Sequence, residues 1–123
     1  MTDPVTAAAS FKGMASPPTH DSKTVGLWTA ANLRYEGKYA AEQKDAAPQV
    51  SQLMHEYLET QPYHYRLQAK RRGELRKGAT AYIKANYKPV GFVLAPILLI
   101  LLQTLIPMIF NWIMDYFKSK VDA

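Results

Sequence analysis

The sequence predicts an all-α protein, with a single-pass C-terminal transmembrane helix preceded by short amphipathic and basic cytoplasmic helices and a disordered or extended N-terminal arm. Three observations lead to this fold class. A run of 26 residues between Lys88 and Asp115 carries no charge. Apolar residues recur at helical spacing within residues 50–58. Eight of the 15 Lys and Arg residues lie in residues 66–88, directly before the uncharged run.

Residues 1–24 are predicted to form the extended or disordered arm. They combine scattered Ala, Ser and Thr with Pro4, Gly13, Pro17 and Pro18. Such a composition has no apolar centre to bury and few helix-forming runs. The stretch also lacks Arg, so it does not look like a transit peptide.

Residues 25–62 are predicted to form short amphipathic helices. The first of these helices is indicated by apolar and aromatic side chains near helical spacing, at Trp28, Ala31, Tyr35 and Tyr39. Gly37 lies within this stretch and weakens the prediction, because glycine has a low helix propensity. A clearer helix follows, with Asp45 as its predicted N-cap and Pro48 in its first turn, where the missing N–H is harmless. Thr60-Gln61-Pro62 is predicted to end it.

One face of this second helix is apolar, and we call it the Val50–Leu58 stripe. Its residues fall at i, i+3, i+4, i+7 and i+8, and they are Val50, Leu53, Met54, Tyr57 and Leu58. Five apolar residues do not support a stable domain by themselves. We therefore expect the Val50–Leu58 stripe to face a partner, which is either the Trp28–Tyr39 stretch or another subunit.

Residues 63–89 are predicted to form a basic juxtamembrane helix. Its cations cluster at Lys70, Arg71, Arg72, Arg76 and Lys77. Three interpretations stay open: a topology signal with a solvated basic face, contact with anionic lipid, or contact with a polyanionic partner. If the helix stands upright, these charges lie about 20–30 Å from the bilayer, beyond the Debye length of about 8 Å. Nucleic acid has weak support as a partner, because no nucleic-acid-binding module signature is present.

Residues 90–114 are predicted to form the transmembrane helix. Twenty-five residues in a helix reach about 37 Å, enough for a hydrocarbon core of about 30 Å. The excess of cations before the segment predicts that the N-terminal 89 residues lie on the cytoplasmic or topologically equivalent side. Residues 115–123 would then form a short tail on the opposite side. A buried core helix is the alternative, and it is disfavoured because little other apolar sequence is available to cover it.

Two faces of the predicted transmembrane helix differ in chemistry. At about 100° per residue, one line collects the polar and helix-perturbing residues, which we call the contact stripe: Pro96, Gln103, Pro107 and Asn111, with Met114 following. The aliphatic face lies opposite and holds Leu98, Leu101, Leu102, Leu105, Ile109 and Trp112. An amide in hydrocarbon is unfavourable unless it is hydrogen-bonded. The contact stripe is therefore predicted to dock on another membrane helix; alternatively, the helix is a lone anchor whose Gln103 bonds its own backbone.

No catalytic or metal-binding pattern is found in the sequence. The chain has no Cys, and its three His residues have no recognised ligand or nucleophile spacing around them. We therefore expect no enzyme activity, no cofactor, no metal and no small-molecule substrate. The expected partners are membrane lipid and other membrane-protein subunits.

These observations favour a non-catalytic structural protein, an accessory subunit or adaptor of a larger membrane assembly. The alternative is a structural protein of a membrane-containing virion, with its basic segment facing the genome or the capsid. Which membrane the chain occupies is not indicated by the sequence.

Overall fold

The computed structural model describes residues 3–19, 21–62, 69–89 and 93–121. Within these ranges the chain is helical and contains no strand, which confirms the all-α prediction. The helices are α1 (Pro4–Ala9), α2 (Ser22–Asn32), α3 (Ala40–Glu59), α4 (Arg72–Asn86) and α5 (Ala95–Val121), with a 3-10 turn at Ala69–Arg71 leading into α4.

The predicted N-terminal arm contains a short helix. The Asp3 carboxylate accepts a hydrogen bond from the Val5 backbone N–H, and Pro4 occupies the first helical position, so α1 begins with a side-chain cap and a pre-set φ angle. Residues 1, 2 and 20 of the predicted arm lie outside the described residues.

Hydrogen bonds hold the segment after α1 against α2. The Asn32 side chain donates to the Phe11 carbonyl (3.0 Å) and accepts from the Gly13 N–H (2.8 Å). The Trp28 indole N–H donates to the Met14 carbonyl (2.9 Å). Gly13 has a φ of 85°, in the region that glycine adopts without strain. The chain from α1 to residue 14 therefore folds back on α2.

The boundary between α2 and α3 differs from the predicted one. Asp21 caps α2, whereas Gly37, with a φ of 95°, lies in the turn before α3. α3 then starts at Ala40, so the prediction that Asp45 is its N-cap was wrong. Pro48 lies in the third turn and is buried. An internal proline costs about 3 kcal/mol, and burial of residues 46–48 in the core opposes that loss.

The ends of α5 also differ from the predicted span. The helix is described from Ala95, with Pro96 in its first turn, and it continues past Met114 to Val121. Residues 115–121 contain neither Gly nor Pro, so nothing in the sequence interrupts helix propagation there. Residues 115–121 of the predicted tail are thus the last part of α5.

α5 packs against α2, α3 and α4 around one hydrophobic core. Those helices contribute Val25, Met54, Leu58, Leu75 and Ile83, each at most 1% exposed. The expectation that little apolar sequence is available to cover α5 was therefore wrong. Each of these helices has only a few apolar residues, but folding brings the apolar faces of all three together around α5.

Polar contacts align α4 with its two neighbours. Arg72, at the start of α4, pairs with Asp115 near the end of α5 (Nη2 to Oδ1, 2.7 Å), so the two helices run in opposite directions. On the α3 side, the Tyr82 hydroxyl donates to the Glu56 carboxylate (2.9 Å), and its ring packs beside that of Tyr57. We refer to this arrangement of α5 on α2–α4 as the closed bundle.

His55 predicts a measurable pH dependence of stability. It lies on α3, is hydrogen-bonded to Ser22, and burial lowers its pKa although Glu59, Asp21 and Glu56 act to raise it; Lys23 also lowers it. Below about pH 6.5 the unfolded chain takes up a proton that the folded chain resists. The free energy of unfolding should therefore fall as the pH drops from 7.5 to 5.5.

Urea unfolding followed by circular dichroism at several pH values measures this effect. The same experiment on His55→Gln should show a weaker dependence over that pH range. Equal pH dependence in the two proteins would rule out His55 as its source.

Candidate membrane- and partner-contact surface

α5 is long and apolar enough to cross a membrane, by length and composition. Among the described residues, Ala95–Phe117 is the one helical stretch that meets this description. In the structure, 44% of its apolar window is buried inside the protein. One face of the helix therefore lies inside the closed bundle and the other lies outside it.

The inner face of α5 is formed by large apolar side chains. Those that are nearly or fully buried are Leu101, Leu102, Leu105, Ile106, Ile109, Phe110, Ile113 and Met114. Most of the aliphatic face thus packs on the chain's own helices, and Leu98 is half-buried against the same core. Trp112 is the exception, because it is 48% exposed.

The outer face of α5 carries the contact stripe. Pro96, Gln103 and Asn111 are exposed, and Pro107 is half-buried. Pro107 has no N–H to donate to the Gln103 carbonyl, so on this outer side that carbonyl is left for solvent or a partner. The closed bundle therefore exposes most of the stripe, but Met114 at its end is only 6% exposed and packs inside the bundle.

Exposed apolar residues accompany the contact stripe. Leu94, Leu99 and Ile100 are 55%, 50% and 43% exposed, and no charged residue occurs in the chain between Lys88 and Asp115. The outer face of α3 is different, because it displays Glu42, Lys44, Asp45, Glu56 and Glu59. An outer helix face about 30 Å long without a charge is unusual for a surface exposed only to water.

The predicted basic cluster lies at the start of α4, and its members differ in their contacts. Lys70, Arg76 and Lys77 are exposed. Arg71 pairs with Glu74 (3.1 Å), and Arg72 pairs with Asp115 across to α5. Two of the five cations are thus engaged within the fold, and the three exposed ones point to solvent.

The Val50–Leu58 stripe of α3 lies inside the closed bundle. Val50, Met54 and Leu58 are fully buried, Leu53 is nearly so, and Tyr57 is half-buried beside Tyr82. The sequence left two partners open for this stripe, the Trp28–Tyr39 stretch or another subunit. In the structure, helices of the same chain cover it. The helices that cover it include α4 and α5 as well as α2.

Sequence reasoning missed an aromatic cleft between α2 and the end of α5. The cleft is about 600 Å³ and is lined by Trp28, Met108, Asn111, Trp112, Asp115 and Tyr116. The two indole rings meet edge to face, with centroids 6.3 Å apart. Only the i, i+4 spacing of Trp112 and Tyr116 was visible in the sequence, because 84 positions separate the two tryptophans.

Sequence reasoning also missed the cluster of Ser22, His55 and Glu59. The three residue types resemble a nucleophile, a base and an acid, but the geometry does not form a relay. Ser22 is hydrogen-bonded to Nδ1 of His55, and the Glu59 carboxylate lies 3.9 Å from that same nitrogen. A relay needs the acid and the nucleophile on different ring nitrogens. We therefore assign this cluster to the contact between α2 and α3.

The described residues contain no group of three or more His, Cys, Asp or Glu side chains placed to hold a metal ion. Comparison of the chain with protein-family models, curated proteins and solved structures found no match.

Proposed function

We propose that this chain is a non-catalytic, single-pass membrane protein that serves as a structural or accessory subunit of a larger membrane assembly. The observation that supports this proposal is the uncharged outer face of α5, which displays the contact stripe together with Leu99 and Ile100. Exposing such an apolar face to water is energetically unfavourable, whereas contact with lipid or with another membrane helix is favourable.

The polar members of the stripe favour a protein partner for part of this face. Gln103 and Asn111 are eight residues apart, so their amides lie about 12 Å apart along the helix. Interhelical hydrogen bonds of this kind contribute about 0.6–2 kcal/mol in a membrane. Two amides on one line suit a neighbouring helix better than lipid, which has no hydrogen-bonding groups in its core.

The closed bundle and a membrane-spanning α5 exclude each other. Arg72 and Asp115 are in contact in the closed bundle. Spanning would place a hydrocarbon core of about 30 Å between them, with the N-terminal 89 residues on the cytoplasmic or equivalent side. Insertion therefore requires α5 to leave α2–α4. The Val50–Leu58 stripe would then lose the part of its cover that α5 supplies, and this part would become available to another subunit.

The alternative proposal is a structural protein of a membrane-containing virion. The exposed cations Lys70, Arg76 and Lys77 favour this alternative, because they offer positive charge to a genome or an acidic shell. DNA binding by the full chain that weakens steeply with salt would support it.

The accessory-subunit proposal is tested by Gln103→Leu. The complex is extracted from native membranes in mild detergent, and the co-migration of the chain with other subunits is measured by native electrophoresis. Because the substitution removes an amide without adding bulk or charge, we expect it to lower the fraction of chain in the complex several-fold. A stripe that faces only lipid would tolerate the change.

Gln52→Leu is the matched control, since it makes the same change on α3, outside the contact stripe. It should leave the complex intact. Migration of the wild-type chain as a free monomer would contradict the proposal as a whole, and extraction of the chain by alkaline carbonate would contradict membrane insertion.

A further inference from the structure

The two flanks of α4 face different helices. Arg72 contacts Asp115 on α5, whereas Tyr82 contacts Glu56 on α3. The row that starts at Arg72 continues at four-residue intervals through Arg76, Thr80 and Lys84. Each step along such a row turns about 40° around the helix, so the row begins on the α5 side and winds outward to solvent. Arg76 and Lys84 are exposed.

These exposed cations therefore lie on a helix that packs directly against α5. α4 packs along α5 in the antiparallel direction, and packed helix axes are about 8–10 Å apart. That separation is close to the Debye length of about 8 Å. In an upright basic helix the cations would lie farther from the lipid than the Debye length. In the closed bundle, a bilayer that contacts α5 would lie closer to the cations of α4. The closed bundle thus has both an uncharged apolar helix face on α5 and exposed cations on the neighbouring helix α4.

We propose that the closed bundle binds the surface of an anionic bilayer, with the outer face of α5 in the interface and Arg76 and Lys84 on the lipid headgroups. This inference rests on the proposed function, because it gives the same helix a surface-bound state that precedes its insertion. Helices that lie in the interface combine an apolar face with flanking cations in this way. The indole of Trp112 is also exposed, and Trp side chains prefer the membrane–water interface.

A lipid surface fits the whole face better than a polyanion does. Leu94, Leu99 and Ile100 are about half exposed on α5, and the cations are exposed on α4, which packs against it. Nucleic acid would engage Arg76 and Lys84 but would leave those apolar side chains uncovered. A bilayer surface covers both, because apolar side chains enter the acyl boundary while the cations stay at the headgroups.

The electrostatic part is tested with the full chain and vesicles of phosphatidylglycerol or phosphatidylcholine, by sedimentation at physiological salt. A cation close to an anionic surface contributes about 1 kcal/mol, so Arg76→Gln combined with Lys84→Gln should weaken binding to the anionic vesicles about thirtyfold. The control is Lys12→Gln combined with Lys44→Gln, which removes the same charge from exposed positions on other segments. Equal losses in the two double variants would overturn the proposed orientation.

The apolar part is tested by Ile100→Gln, with Val5→Gln as its control. The two side chains are similarly exposed, at 43% and 46%, but Val5 lies on α1. Binding to anionic vesicles should fall about tenfold for Ile100→Gln, because a polar group replaces an aliphatic side chain that would be buried in the bilayer interface. Binding should stay unchanged for Val5→Gln. The opposite result would overturn the assignment of α5 as the docking face.

A cross-link separates surface docking from insertion. The chain has no Cys, so Arg72→Cys combined with Asp115→Cys gives two unique thiols that a short bis-maleimide can join in the closed bundle. A joined chain cannot span, because the link is much shorter than the hydrocarbon core. We expect the joined and unjoined forms of this variant to bind anionic vesicles equally.

Binding by the unjoined form alone would overturn docking of the closed bundle and leave the proposed membrane function standing. Failure of both forms, and of the wild-type chain, to bind anionic vesicles would overturn surface docking, whereas membrane insertion is contradicted only if alkaline carbonate extracts the chain from native membranes.

Discussion

Phe110→Ala is expected to lower the free energy of unfolding of the closed bundle by about 3–5 kcal/mol. Phe110 is fully buried on the inner face of α5, in the core that α2, α3 and α4 share. Truncation removes the ring from this core and leaves a cavity that three helices would have to close. A loss of this size is a large part of the stability of a small domain, so we expect the variant to be partly unfolded at 37 °C.

Urea unfolding monitored by circular dichroism measures the loss. Leu99→Ala is the matched control, because it shortens an apolar side chain on the same helix that is 50% exposed. It should change the free energy of unfolding by about 0.5 kcal/mol or less. If Leu99→Ala were the more destabilising variant, the assignment of inner and outer faces to α5 would be reversed.

Gly26→Leu is expected to open the contact among α2, α3 and α5, with a loss of about 1–3 kcal/mol or more. A Cβ atom at Gly26 would lie 3.3 Å from the Ser51 Cβ and 3.4 Å from the Ile113 Cδ1. One carbon already needs its neighbours to move slightly, and a branched side chain has no space. We expect weaker helical signal and exposure of the inner face of α5, which a hydrophobic dye would report.

Gly73→Ala is the contrasting control for this substitution. Gly73 lies in α4, and a Cβ atom there would have no neighbour within 4 Å. Replacing glycine by alanine in a helix without a clash should stabilise the protein by about 0.5–1 kcal/mol. Tolerance of Gly26→Leu would mean that α2 and α3 are not closely packed at this point.

Gly26 and Gly73 show the limit of sequence reasoning for the fold. Both are glycines within helices, and composition alone assigns them the same helix propensity. Their environments differ because α2 crosses α3 at Ser51, while the first turn of α4 is open to solvent. No local pattern in the sequence encodes that crossing, so the sensitive position could not be distinguished from the tolerant one.

The helix boundaries show a similar limit. Asp45 and Pro48 matched the pattern of a helix start, but α3 begins earlier and includes both residues. The local signal was overridden because Ala46, Ala47 and Pro48 are buried in the core. Helix propensity and capping involve a few neighbouring residues and contribute about 1 kcal/mol to stability. The free energy gained by burial depends instead on partners that are far away in the chain.

The sequence by itself determined that the chain is helical, that its last helix contains an uncharged stretch long enough to span, and that the polar and aliphatic residues of this stretch fall on different faces. These features depend on the residue order within one helix. Only the tertiary structure decided that most of the aliphatic face packs on α2–α4, that Pro96, Gln103 and Asn111 are exposed, and that Arg76 and Lys84 are exposed on the helix next to α5. Removing an apolar side chain from water is similarly favourable whether protein or lipid surrounds it, so composition alone does not distinguish the two environments. Which of them a helix face contacts depends on the apolar faces that the rest of the chain places next to it.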